Sequence, residues 1–185
     1  MRLLPLLFLT ACLPAFQFVD DEDQPDESDP DLTPRGYFVG DVVPDWQLQN
    51  QDNETISLWS FEGDWILLEL TTMWASPGHE SAEEAQRIQE DYRDRGLSYV
   101  MVLQENIEGD PASVDDAVMW AEAFGLVDVS VLADSTGATD DALDQGHLPA
   151  AILINPEMEV VERDEPTWDV QSLRVMLDLY LPREN

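Results

Sequence analysis

Lysine is absent from the 185 residues, and eight arginines face 40 aspartates and glutamates, for a formal net charge of −32. Without lysine no Schiff base forms and no Walker-type phosphate loop can be built. The carboxylate excess also excludes nucleic acid as a partner, because a phosphate backbone is bound by exchanging its counterions for Lys and Arg. Cysteine occurs once, at Cys12, which rules out an internal disulfide framework and any cysteine-based zinc cluster. Histidine occurs only as His79 and His147. Apolar runs of membrane-spanning length are missing too; the amino-terminal run Leu3 to Leu9 is far too short for a bilayer core. What remains is 44% apolar, enough for one hydrophobic core with a tail rather than two independent cores.

The amino terminus reads Met1, Arg2, the apolar run, then Thr10, Ala11 and Cys12. A positive end, an apolar stretch and small residues before a cleavage point mark an export signal. The segment Leu9, Thr10, Ala11, Cys12 resembles the bacterial lipobox. That resemblance implies a signal peptide over residues 1–11 and a lipid on Cys12. The expected location is the bacterial cell envelope, anchored in a membrane and facing the periplasm or the cell surface. A lipidated Cys12 would leave the processed chain without a thiol. Residues 12–35 read as an acidic tether, with eight carboxylates between Asp20 and Asp31 broken only by polar residues, Pro25 and Pro30. Like charges repel and prolines stiffen, so such a segment spaces a domain from its anchor. It lacks the spacing of an EF-hand calcium loop.

From Gly36 to the end the pattern is that of a folded domain. Trp46 and Leu48, then Thr55 to Leu58, flank the polar stretch Asn50 to Asn53 and predict a small hairpin. Trp65 to Leu70 is a nearly continuous apolar run of strand length, suited to burial on both faces. After Pro77 the period becomes helical, with Ala82, Ala85, Ile88 and Tyr92 on one stripe and Glu83–Arg87 and Asp91–Arg95 spaced as i,i+4 pairs. Ser98 to Leu103 predicts another buried strand. Ser113 is a candidate cap for a helix closed by Gly125. Strands at Val129–Ala133, Ala150–Asn155 and Glu159–Glu162 and a last helix around Val170–Tyr180 complete the order. Alternating strands and helices with a terminal hairpin predict an α/β domain over 36–185, a mixed central sheet flanked by helices on both faces with an amino-terminal β-hairpin extension.

This order resembles the thioredoxin fold, and specifically the exported redoxins, the TlpA/ResA-type lipoproteins and their AhpC/TSA relatives. Val39 to Leu48 resembles the family's opening Gly-x-x-x-Pro-Asp-Phe-x-Leu phrase. Ser57 to Asp64 resembles its Ser-Leu-x-x-Phe-x-Gly-Lys phrase, with Asp64 in the lysine position. The strand from Trp65 leads to Trp74, where the active site of the family begins. Gly146, His147, Leu148 and Pro149 resemble the loop bearing its cis-proline. The departure lies in the site itself. Where Cys-x-x-Cys is expected, the chain reads Ala75, Ser76, Pro77, Gly78. In active members the first cysteine is made acidic by a helix amino terminus, and the second resolves a mixed disulfide. Ala75 and Gly78 can do neither.

What the resemblance then implies is a redox-inactive module that binds or scaffolds partners in the cell envelope, with no cofactor. Its expected contact residues are Trp74, Ser76, Pro77, His147, Leu148 and Pro149, because the backbone before the family's cis-proline pairs with extended peptides, a mode that needs no sulfur. Two alternatives stand beside it. One is a thiol–disulfide oxidoreductase or peroxidase-like enzyme working through an external thiol or through Ser76 with His79 as its base. The other is a metal carrier using His79 and His147, whose imidazoles suit zinc or copper. More plainly, Ser76 and Pro77 start a helix, a favourable place for proline, and the histidines are unrelated.

Overall fold

The computed structural model describes residues 35–142, 148, 150–164 and 169–183. Cys12, the tether up to residue 34, His147, Pro149 and Trp168 lie outside the described residues.

The hairpin forms as β1 (Gln47–Asn50) and β2 (Thr55–Ser57), with Leu48 opposite Ile56. Its turn is closed by Asn50, whose side-chain oxygen accepts the amides of Asp52 and Glu54. Asn106 and Asn155 close two later turns in the same way. β3 (Trp65–Thr72), β4 (Leu97–Glu105), β5 (Ser130–Ala133), β6 (Ala150–Ile154) and β7 (Val160–Asp164) complete a seven-stranded sheet in the order β2-β1-β5-β4-β3-β6-β7. β3, β4 and β5 run parallel, while β6 lies antiparallel to β3. β3 is therefore central, and its run of seven buried residues after Trp65 explains the continuous apolar pattern.

The parallel crossovers carry α1 (Ser76–Tyr92) and α2 (Val114–Phe124), and α3 (Val170–Tyr180) follows β7. Alternate strand residues feed two core layers. Leu67, Tyr99, Met101, Leu103, Val131 and Leu153 pack with Ala82, Ala85 and Ile88 of α1, Trp120 of α2 and Leu173 and Leu177 of α3. Ile66, Leu68, Leu70, Val100, Val102 and Ile152 point the other way, toward Tyr37, Val43, Trp46, Leu58 and Ala142. All three α-helices thus share one layer. The helices on the opposite face, among the described residues, are the single 3-10 turns Leu58–Phe61 and Asp140–Ala142, joined there by the segment that precedes β1.

The i,i+4 pairing expected on α1 is not what forms. Arg87 bonds Glu84, Asp91 bonds Arg174, and Arg95 bonds Asp178 together with the carbonyls of Leu177, Leu181 and Pro182. Arg95 thereby satisfies the open carbonyls at the end of α3, a stronger demand than a local pair on a solvated face. Ser113 caps α2 as predicted, and its Asp116 reciprocates in a capping box. Gly125 follows with φ +65°, the left-handed conformation that glycine adopts at no steric cost.

Candidate functional site

β3 delivers Trp74 and α1 to the carboxyl end of the parallel strands, the usual position of sites in open α/β sheets. The Met73 amide bonds the Glu105 carbonyl at 3.0 Å, joining the ends of β3 and β4. Beside it the Trp74 indole donates from Nε1 to Glu105 Oε2 at 2.7 Å, and the ring remains 53% exposed.

α1 opens without a side-chain cap. Ala75 holds the cap position in an extended conformation (φ −86°, ψ 121°) and is buried, Pro77 lies in the first turn, and Ser76 and Pro77 face solvent. His79 is committed to other partners than Ser76. Its Nε2 donates to the Met73 carbonyl at 2.7 Å, and the ring packs edge-on against Trp120 and Phe124, with centroids 4.9 and 5.6 Å apart. A carbonyl only accepts, so Nε2 carries the proton of that bond. Leu148 is half-buried against the second core layer. His147 and Pro149 fall outside the described residues, so neither the two-histidine metal site nor the peptide groove can be placed. Among the described residues no cluster of metal-ligating side chains occurs.

Gly78 is buried in the first turn of α1. A Cβ there would run into the Thr71 hydroxyl, and it would lie 3.3 Å from the Thr72 carbonyl oxygen. The Thr71 and Thr72 hydroxyls are themselves buried and find no hydrogen-bond partner among the described residues. Thr71 thus occupies the volume into which a side chain at position 78 would project.

Directly beneath is a group that sequence reasoning left inside its strand. Glu69 is fully buried on β3, and its two carboxyl oxygens are held by the hydroxyls of Ser81 on α1 and Tyr99 on β4. Burial raises its pKa to about 7, against a partial lowering by those two bonds. Burial and the neighbouring Glu69 push the Tyr99 phenol well above its usual value. Ser81 Oγ also lies 3.0 Å from the Gly78 carbonyl. One hydroxyl proton therefore has two acceptors. When Glu69 is protonated it can donate to Ser81, which then donates to Gly78; when Glu69 is ionised it claims the Ser81 proton. The signal for this group was a single carboxylate within the apolar run Trp65 to Leu70.

The sequence pattern of the AhpC/TSA family matches residues 39–163. Among solved structures, a protein assigned as the thiol:disulfide interchange protein DsbE of Chlorobium tepidum is 19% identical with a TM-score of 0.64, over 78% of this chain and 96% of that one. A thiol:disulfide interchange protein from Bacteroides sp. superposes with a TM-score of 0.64 at 16% identity, over 78% and 90% of the two chains. Peroxidoxin BcpB from Mycobacterium tuberculosis gives 0.61 at 17% identity, over 75% and 92%. No functionally curated protein sequence matches the chain.

Proposed function

Because the chain belongs to the AhpC/TSA family while carrying no sulfur at the two positions of its CxxC motif, we propose that it is a redox-inactive redoxin acting as a binding or scaffold module of the bacterial cell envelope. The observation that carries this reading is Ala75 and Gly78 in the two cysteine positions, with the Thr71 hydroxyl filling the space into which a side chain at position 78 would project. Ala75 has no thiol to ionise, and Gly78 has no side chain to resolve a mixed disulfide. The lipobox Leu9–Cys12 supports export and lipid anchoring through Cys12, with 12–35 as the spacer. No helix among the described residues is long and apolar enough to cross a membrane. The face offered to a partner is the strand end carrying Trp74, Ser76 and Pro77; the family resemblance adds His147, Leu148 and Pro149, where strand addition needs only backbone groups.

The test uses the full-length chain expressed in a bacterial host, fractionated, and assayed for insulin-disulfide reduction with dithiothreitol as the reductant. The chain is expected in the membrane fraction, its Cys12→Ser variant in the soluble fraction, and neither should speed reduction beyond dithiothreitol alone. Turnover above that background would refute the redox-inactive reading.

A further inference from the structure

A tryptophan with half its surface in water is normally free to turn, but Trp74 is pinned through its indole N–H to Glu105 Oε2 at 2.7 Å. The bond holds the ring at the ends of two adjacent parallel strands, with Glu105 Oε1 still able to accept. Two residues further along the chain Ile107 is 56% exposed, in the loop that Asn106 closes by accepting the amides of Glu108 and Asp110. The ionisable groups of that loop, Glu105, Glu108 and Asp110, are all acidic. Ion pairs commit Arg87 to Glu84, Arg93 to Asp128, Arg95 to Asp178 and Arg174 to Asp91, and none of these four arginines pairs with a carboxylate of the loop.

An oriented indole face, an adjoining carboxylate and an apolar step suit a cation on an aliphatic stem. Its charged head can lie over the ring and bond the carboxylate while the stem covers Ile107. The field of a chain with net charge −32 draws cations to this face and turns anionic segments away. We infer that Trp74, Glu105 and Ile107 form a docking surface for an arginine- or lysine-bearing segment of a partner protein. This rests on the binding role proposed for the same face and specifies its ligand chemistry.

The probes are two blocked peptides of alternating valine and arginine or valine and glutamate, titrated by calorimetry and by the indole N–H signals in NMR spectra. The arginine peptide should bind, shifting the Trp74 signal, and the glutamate peptide should not. Trp74→Leu, which leaves the charge unchanged, should weaken binding about tenfold. Glu105→Gln should weaken it several-fold, while Glu54→Gln, an equal loss of charge at the distant hairpin, should leave it within twofold. Unchanged binding by Trp74→Leu, or an equal loss in Glu54→Gln, would reduce the interaction to diffuse attraction by a polyanion and overturn the inference. If the arginine peptide fails while the glutamate peptide shifts Trp74, the cationic preference falls and the binding role of the face stands.

Discussion

The residue that most constrains this fold chemically is Glu69, a carboxyl sealed inside the central strand between Ser81 and Tyr99. Its folded pKa of about 7 exceeds the ordinary value of 4.5, so the native state holds a proton that the unfolded chain releases. The stabilisation is therefore fully present below about pH 4.5 and is lost as pH rises through about 7, in total about 3 kcal/mol. Asp134 works in the opposite sense. Burial raises its pKa, but bonds from the Thr139 hydroxyl and amide and from the amides of Ala138 and Thr136 outweigh burial and hold it below the usual range. Its contribution is present at neutral pH and lost only as the solution becomes strongly acidic. Glu69→Gln keeps the hydrogen-bond pattern of the protonated acid, since its amide donates to Ser81 and accepts from Tyr99. Urea unfolding should find the variant close to wild type at pH 5 and more stable by about 2–3 kcal/mol at pH 8.5. A parallel pH dependence in both proteins would show that the carboxyl is already ionised in the native state.

At the scale of elements, α1 and α2 begin in contrasting ways. α2 has a reciprocal capping box between Ser113 and Asp116, whereas α1 starts at Ala75 with only a proline in its first turn. Ser113→Ala should therefore cost about 1 kcal/mol, read as a lower urea midpoint with an unchanged slope; a change below about 0.3 kcal/mol would mean that water replaces the cap. The elements themselves were readable in advance wherever the pattern was local. The apolar run marked β3, the Ala82–Tyr92 stripe marked α1, and Ser113 with Gly125 bounded α2. What escaped depends on partners remote in sequence. Tyr99 lies 30 residues from Glu69 and Glu105 lies 31 from Trp74, so neither bond has a local signature. The gathering of all three α-helices in one layer likewise follows from strand order, which periodicity does not encode. The junction of β3 and α1 at Trp74 and Pro77 was legible because the preceding strand keeps the family's spacing. The obstruction at Gly78 was not, since it comes from the direction in which Thr71 points.

For the molecule as a whole, electrostatics oppose compaction. Seven described arginines serve a domain dominated by carboxylates, and several of their pairs are largely exposed, contributing little each. Screening shortens the reach of the remaining repulsion to about 8 Å at physiological ionic strength and about 3 Å at 1 M. The melting temperature should therefore rise by several degrees between low salt and about 0.5 M sodium chloride. A flat profile would locate the balancing interactions elsewhere. Thr71 also bears on any attempt to graft the missing chemistry onto this scaffold. A cysteine at position 78 would place its Cβ against the Thr71 hydroxyl, so the threonine must turn or be trimmed as well. Two sulfurs introduced without that third adjustment would meet a steric penalty before they gained any electron-transfer advantage.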